Sequence, residues 1–144
     1  MTAIADAVVL IIENDLIVSL EIERVLRTAG FCHFHIGGNC SYALSWLADH
    51  SPTVCIIDAH SSDRGSCEVF AVLRQRRLPF VAYSADYQSA SVTHGARGGQ
   101  WLLKPAHPEL LVRAVDIALA SREIRTPAGE ERRDEWRHDN ARMV

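Results

Sequence analysis

The chain predicts an α/β fold: one open, doubly wound parallel sheet of five strands with helices on both faces. Three observations lead there. Short, nearly uninterrupted apolar runs recur along the chain, as strands covered on both faces require. Segments of helical period alternate with those runs, which is the pattern of βαβ units. Most of the runs also end abruptly in polar residues, as happens where parallel strands reach the edge that carries a site.

Residues 7–12, AVVLII, read as the first buried strand. Leu16 to Ala29 follows as a helix, with Val18, Ile22, Val25 and Ala29 at helical spacing and Gly30 as its stop. Asp15 stands where a helix N-cap belongs, which is a better use of it than metal ligation. The second strand is FCHFHI, 31–36, and a helix from an N-cap at Ser41 to Asp49 turns Ala43, Leu44 and Leu47 inward. Pro52 marks the turn into strand three, TVCII, 53–57. After the polar loop DAHSSDRGS, a helix from Cys67 to Arg76 buries Val69, Phe70 and Leu73. Strand four is PFVAYS, 79–84, and strand five is QWLL, 100–103. The Ser-rich stretch 86–95 has few apolar anchors for the helix that the alternation asks for there, the fourth of five. The last helix, 108–121, starts at Pro108, where a first turn tolerates proline, and offers Leu110, Leu111, Ala114, Val115, Ala118 and Leu119 as a broad apolar face. Residues 1–125 form the expected domain; 126–144 are charged in both signs, poor in core formers, and read as a disordered or loosely helical tail.

Length and composition narrow the function. With 144 residues, 48% apolar and 23% charged, the chain makes one ordinary globular domain with a sizeable core. Its apolar runs are too short to span a bilayer, and its start lacks the basic region of a secretory signal, so a cytoplasmic protein is expected. A net charge of −3 gives no footprint for nucleic acid. Cys32, Cys40, Cys55 and Cys67 show no C-x-x-C spacing and read as small hydrophobes. His33 and His35 alternate with Cys32 and Phe34, so the Cys and His side chains point to opposite faces of a strand and make a poor zinc site.

The strand ends hold the chemistry. Strand one ends in Glu13-Asn14, strand three in Asp58, strand four in Ser84, and strand five in Lys104-Pro105. With strand order 2-1-3-4-5, that of flavodoxin-like sheets, strands one and three are neighbours at the reversal, and Glu13, Asn14 and Asp58 share a crevice. Carboxylates brought together need a compensating cation, either a bound metal, with Mg²⁺ expected, or the ammonium of Lys104.

With these residues in order, the chain resembles a response-regulator receiver domain of the CheY kind over residues 6–124. The matching stretches are LIIEND, CIIDA, VAYSA and WLLKPAHPELL. Within that family, RRLPFVAYSA is similar to short regulators that partner HWE-type histidine kinases. The resemblance implies two-component signalling in which Asp58 accepts a phosphoryl group from a histidine kinase or phosphotransfer protein. It implies Mg²⁺ held by Asp58, Glu13, Asn14 and the carbonyl of His60, and Lys104 paired with a phosphoryl oxygen. Ser84 and Trp101 would act as switch residues, and the Lys104-Pro105 peptide is expected to be cis. Chemistry beyond self-catalysed phosphorylation and dephosphorylation is not expected, and output would pass by contact to a downstream protein or a second copy of the chain.

The chain also departs from the family. Neutral Asn14 stands where relatives carry a second acid, which should leave Mg²⁺ weakly held. Ala106 replaces a common aromatic, and Trp101 is bulkier than the usual Tyr or Phe. Those departures keep open a pseudo-receiver, a binding module in which phosphorylation is dispensable. A flavin-binding flavodoxin-like protein fits less well, because strand one ends in acids instead of a phosphate-cradling loop.

Overall fold

The computed structural model describes residues 3–58, 64–85 and 99–124. Five strands form one parallel sheet: β1 (Val8–Ile12), β2 (His33–Gly37), β3 (Val54–Ile57), β4 (Phe80–Ser84) and β5 (Gly99–Leu103). Their order is β2-β1-β3-β4-β5, as the alternating pattern and the strand ends predict. Four helices accompany them among the described residues: α1 (Leu16–Thr28), α2 (Cys40–Asp49), α3 (Arg64–Gln75) and α4 (Pro108–Ile124). The weak stretch at 86–95, the loop holding His60, and the tail from 126 lie outside the described residues.

Strand alternation divides the interior into two cores. Val9, Ile11, Val54, Ile56, Val81 and Tyr83 face the side covered by α1 and α4, where Ile22, Leu26, Leu111 and Val115 meet them. Leu10, Ile12, Cys55, Ile57, Phe80 and Ala82 face α2 and α3, where Ala43, Leu47, Phe70 and Leu73 close the layer. Both faces of the central strands are thus dry, which is why those strands are unbroken apolar runs. Replacing the fully buried Leu10 or Ile56 by alanine would cost roughly 2–5 kcal/mol.

Helix ends follow their local chemistry. The Asp15 carboxylate accepts from the amides of Ile17 (2.9 Å) and Val18 (3.3 Å), so it caps α1 as expected. Gly30 ends that helix at φ +110°, a conformation that favours glycine. At α2 the cap is Asn39, which accepts from the Tyr42 amide at 2.8 Å, and the helix begins at Cys40. The expected cap at Ser41 is therefore corrected by two residues: Asn is at least as good a cap as Ser, and it lies directly after the Gly-Gly turn. Helix α3 starts three residues earlier than the apolar periodicity shows, because its first turn carries no apolar face. On α4, Leu111, Ala114, Val115 and Ala118 are buried, whereas Leu110 stands half exposed on the flank of that stripe, contrary to expectation. Cys40 and Cys55 are buried and Cys32 is exposed.

Two contacts hold the α2–α3 side and the edge strand. Gly99 of β5 pairs with Phe80, whose ring leaves no room for a Cβ, only 2.0 Å away. The Arg76 guanidinium reaches across from the end of α3 to the carbonyls of Leu47 (2.5 Å) and His50 (3.0 Å) and to the Ser51 hydroxyl. It thereby satisfies carbonyls that the C-terminus of α2 leaves open. Arg76→Met, which keeps the aliphatic stem and removes the donors, should lower stability by about 1–3 kcal/mol in urea unfolding monitored by circular dichroism.

Candidate functional site

The site sits at the carboxyl edge of the sheet, where the order reverses between β1 and β3. Register brings the first residues beyond these strands level: Ile12 lies opposite Ile57, and the Asp58 amide donates to the Ile12 carbonyl at 2.8 Å. Glu13 and Asp58 continue the alternation that turns Ile11 and Ile56 toward the α1–α4 side. On the other flank the Lys104 amide donates to the Ser84 carbonyl at 2.9 Å, extending the β4–β5 ladder by one residue. The same alternation then aims Lys104 to the face that Leu102 takes.

These directions converge. Lys104 Nζ donates to Glu13 Oε2 at 2.5 Å and lies 3.2 Å from Asp58 Oδ1. The side chain of Glu13 is 2% exposed, that of Asp58 7% and that of Lys104 17%, so the three charges meet almost out of water. The second oxygen of Glu13 accepts the Asp15 amide at 3.1 Å. The Lys104 ammonium, one of the two compensating cations that the sequence leaves open, is in contact with both acids.

The other site residues fall around this triad. Ser84 is buried at the end of β4, with its backbone on the Lys104 amide. Asn14 is exposed beside Glu13. Trp101 belongs to the opposite face of the sheet, half-buried, with its ring tilted against Phe70 at 6.3 Å between centroids. The Lys104-Pro105 peptide is cis. Two readings of the sequence thus lie together at one place, the acids and the amine, while Trp101 sits across the sheet. Tyr83 is the residue that sequence reading missed. Its hydroxyl accepts the Ala106 amide at 3.0 Å, and its ring lies 5.5 Å from Lys104 Nζ. The signal was the alternation itself, which places the side chain before Ser84 on the face of Glu13, Asp58 and Lys104.

The donors suit a hard divalent cation in kind, being two converging carboxylates with the exposed Asn14 next in the chain. They are few in charge. Among the described residues no cluster of three or more His, Cys, Asp or Glu side chains is arranged to hold a metal ion. Glu13 already has one oxygen on an amide and the other on an ammonium.

No protein-family model matches the chain, and no curated protein matches it in sequence. Solved structures match it in shape. A CheY-like response-regulator receiver domain from Methanospirillum hungatei JF-1 superposes with a TM-score of 0.72 at 14% identity, over 83% of this chain and 98% of its own. The fold is CheY-like. A response-regulator receiver protein from Sinorhizobium medicae WSM419 gives 0.71 at 22% identity, covering 81% of this chain and 96% of its own. A chemotaxis response regulator of Vibrio cholerae gives 0.67 at 19% identity, covering 78% and 98%. The described residues contain no helix long and apolar enough to cross a membrane.

Burial works against the Lys104 charge, but the hydrogen bond to Glu13 and the fields of Asp58 and Glu13 outweigh it, so its pKa lies above the ordinary 10.5. A base raised in the folded state stabilises fully below its unfolded pKa and loses that contribution as pH rises through the folded value. Thermal melts should therefore show this contribution intact at neutrality and declining above pH 10.5. Lys104→Met should be less stable at neutral pH by roughly 3 kcal/mol, because it leaves two acids facing each other, and should lack that part of the alkaline decline.

Proposed function

We propose that this chain is a two-component response regulator that accepts a phosphoryl group on Asp58. The observation that carries the reading is the Lys104 ammonium held on both Glu13 and Asp58 at the switch point of a CheY-like sheet. Solved receiver-domain structures share the architecture across nearly their whole length.

In the proposed transfer, an oxygen of Asp58 bonds to the phosphorus of a phosphohistidine on the partner as the P–N bond breaks, and the freed imidazole takes a proton from solvent. An ionised carboxylate needs no base for this, so the site has only to align and neutralise. Lys104 supplies positive charge to the phosphoryl oxygens, and Ser84 stands one strand over as a hydroxyl for the product. Mg²⁺, when bound, would neutralise phosphoryl charge; Asp58, Glu13 and Asn14 are the described residues that would hold it, the carbonyl of His60 lying outside them. On α1, Leu16, Ile17 and Leu20 stay 67%, 78% and 50% exposed next to the acids, an apolar patch suited to docking the histidine kinase or phosphotransfer protein. Output would pass to a downstream protein or a second copy by contact.

A specific observation favours the pseudo-receiver as second reading. Both Glu13 oxygens are engaged by protein donors and the neighbouring residue is neutral Asn14, so the described pocket keeps only one uncompensated negative charge to draw a metal. Incubation with acetyl phosphate and Mg²⁺, followed by intact-mass spectrometry, separates the two. The response regulator gains one phosphoryl mass that Asp58→Ala abolishes; absence of any gain, from this donor and from a cognate kinase alike, would establish the pseudo-receiver.

The metal is tested separately. Asn14→Asp should raise Mg²⁺ affinity by about tenfold in a calorimetric titration, since one carboxylate is added to a pocket held by ligand charge. Equal affinity in the two proteins would remove Asn14 from the ligand set.

A further inference from the structure

The aim of Lys104 depends on the turn that it opens, and that turn is fixed from β4 at two points. Ser84 holds the near side, its carbonyl accepting the Lys104 amide at 2.9 Å. Tyr83 holds the far side, its hydroxyl accepting the Ala106 amide at 3.0 Å. The tyrosine is only 8% exposed and packs in the same core cluster as Ala106. Its ring also lies 5.5 Å from Lys104 Nζ, close enough for the ring face to favour the ammonium there.

We propose that Tyr83 is a positioning residue for Lys104: its hydroxyl clamps the Lys104-Pro105-Ala106 turn and its ring floors the ammonium, so that Nζ stays on Glu13 and Asp58. A phenylalanine at 83 would fill the same space but leave the Ala106 amide without this acceptor. The proposal uses the phosphoacceptor reading only for its consequence on rate; the clamp itself stands on geometry. Ala106 brings a single methyl to the interior, too little to anchor the turn by packing, and the hydrogen bond from β4 takes over that task.

Tyr83→Phe keeps the ring and so keeps the fold. Amide exchange by NMR should show Ala106 exchanging at least about tenfold faster in the variant, with the β-sheet amides unchanged. Thermal unfolding of Tyr83→Phe, Lys104→Met and the double variant should be non-additive, the tyrosine change shifting the midpoint less once Lys104 is gone. With acetyl phosphate, and well below the unfolding midpoint, phosphorylation of Tyr83→Phe should be several-fold slower than wild type at saturating donor. Unchanged Ala106 exchange, additive midpoints, or a wild-type phosphorylation rate would each overturn the assignment. If the wild-type chain takes no phosphoryl group, it is the proposed function that fails, and the exchange and unfolding measurements still decide the role of Tyr83.

Discussion

One ammonium between two nearly buried carboxylates organises the rest of this molecule. Two acids out of water repel one another, and each also loses hydration that it would keep at the surface. Neither would persist at the end of an apolar strand without a cation within contact, and Lys104 is in contact with both at 2.5 and 3.2 Å. The interaction joins residues 91 positions apart in the chain. It therefore exists only if β1, β3 and β5 all end at the same edge.

The sheet meets that condition through order and alternation. Placing β1 beside β3 brings Glu13 and Asp58 level, and β4 carries β5 to within reach of both. Because side chains alternate, the residues just beyond β1, β3 and β5 share a face only in one register each. A slip of one residue in β5 would send Lys104 to the side of Trp101 and Phe70. The hydrogen bond from the Lys104 amide to the Ser84 carbonyl and the crowding of Gly99 under Phe80 hold β5 against such a slip. The acids thus owe their partner to contacts made by residues with no charge.

Much of this was legible in the sequence, and the reasons differ by element. Apolar runs announced the central strands because both of their faces are dry. Asp15 announced a helix start because its carboxylate has amides directly ahead of it. Polar strand ends announced the site, since parallel sheets place chemistry there. What was missed needed three dimensions. Asn39 against Ser41 is a contest between two good caps, and the Tyr42 amide goes to Asn39. Leu110 reads as apolar periodicity, yet it stands half exposed at the flank of the stripe. Tyr83 looks like another strand aromatic until the Ala106 amide is seen to point at its hydroxyl.

The neutral residue at 14 gives the triad a further meaning. With Asn14 outside the burial and uncharged, the described pocket holds two negative groups and one positive, so a single negative charge is left over. Lys104 is shared, and whatever adds charge to one acid draws the amine away from the other. A phosphoryl group on Asp58 would replace its single carboxylate charge by about two at neutral pH, enough to compete for Nζ against the one on Glu13. Loss of that bond would uncover a nearly buried carboxylate, which must then find solvent or a cation. On the proposed reading, the charge on Asp58 would thus be linked to the exposure of Glu13 through the one amine that both acids share.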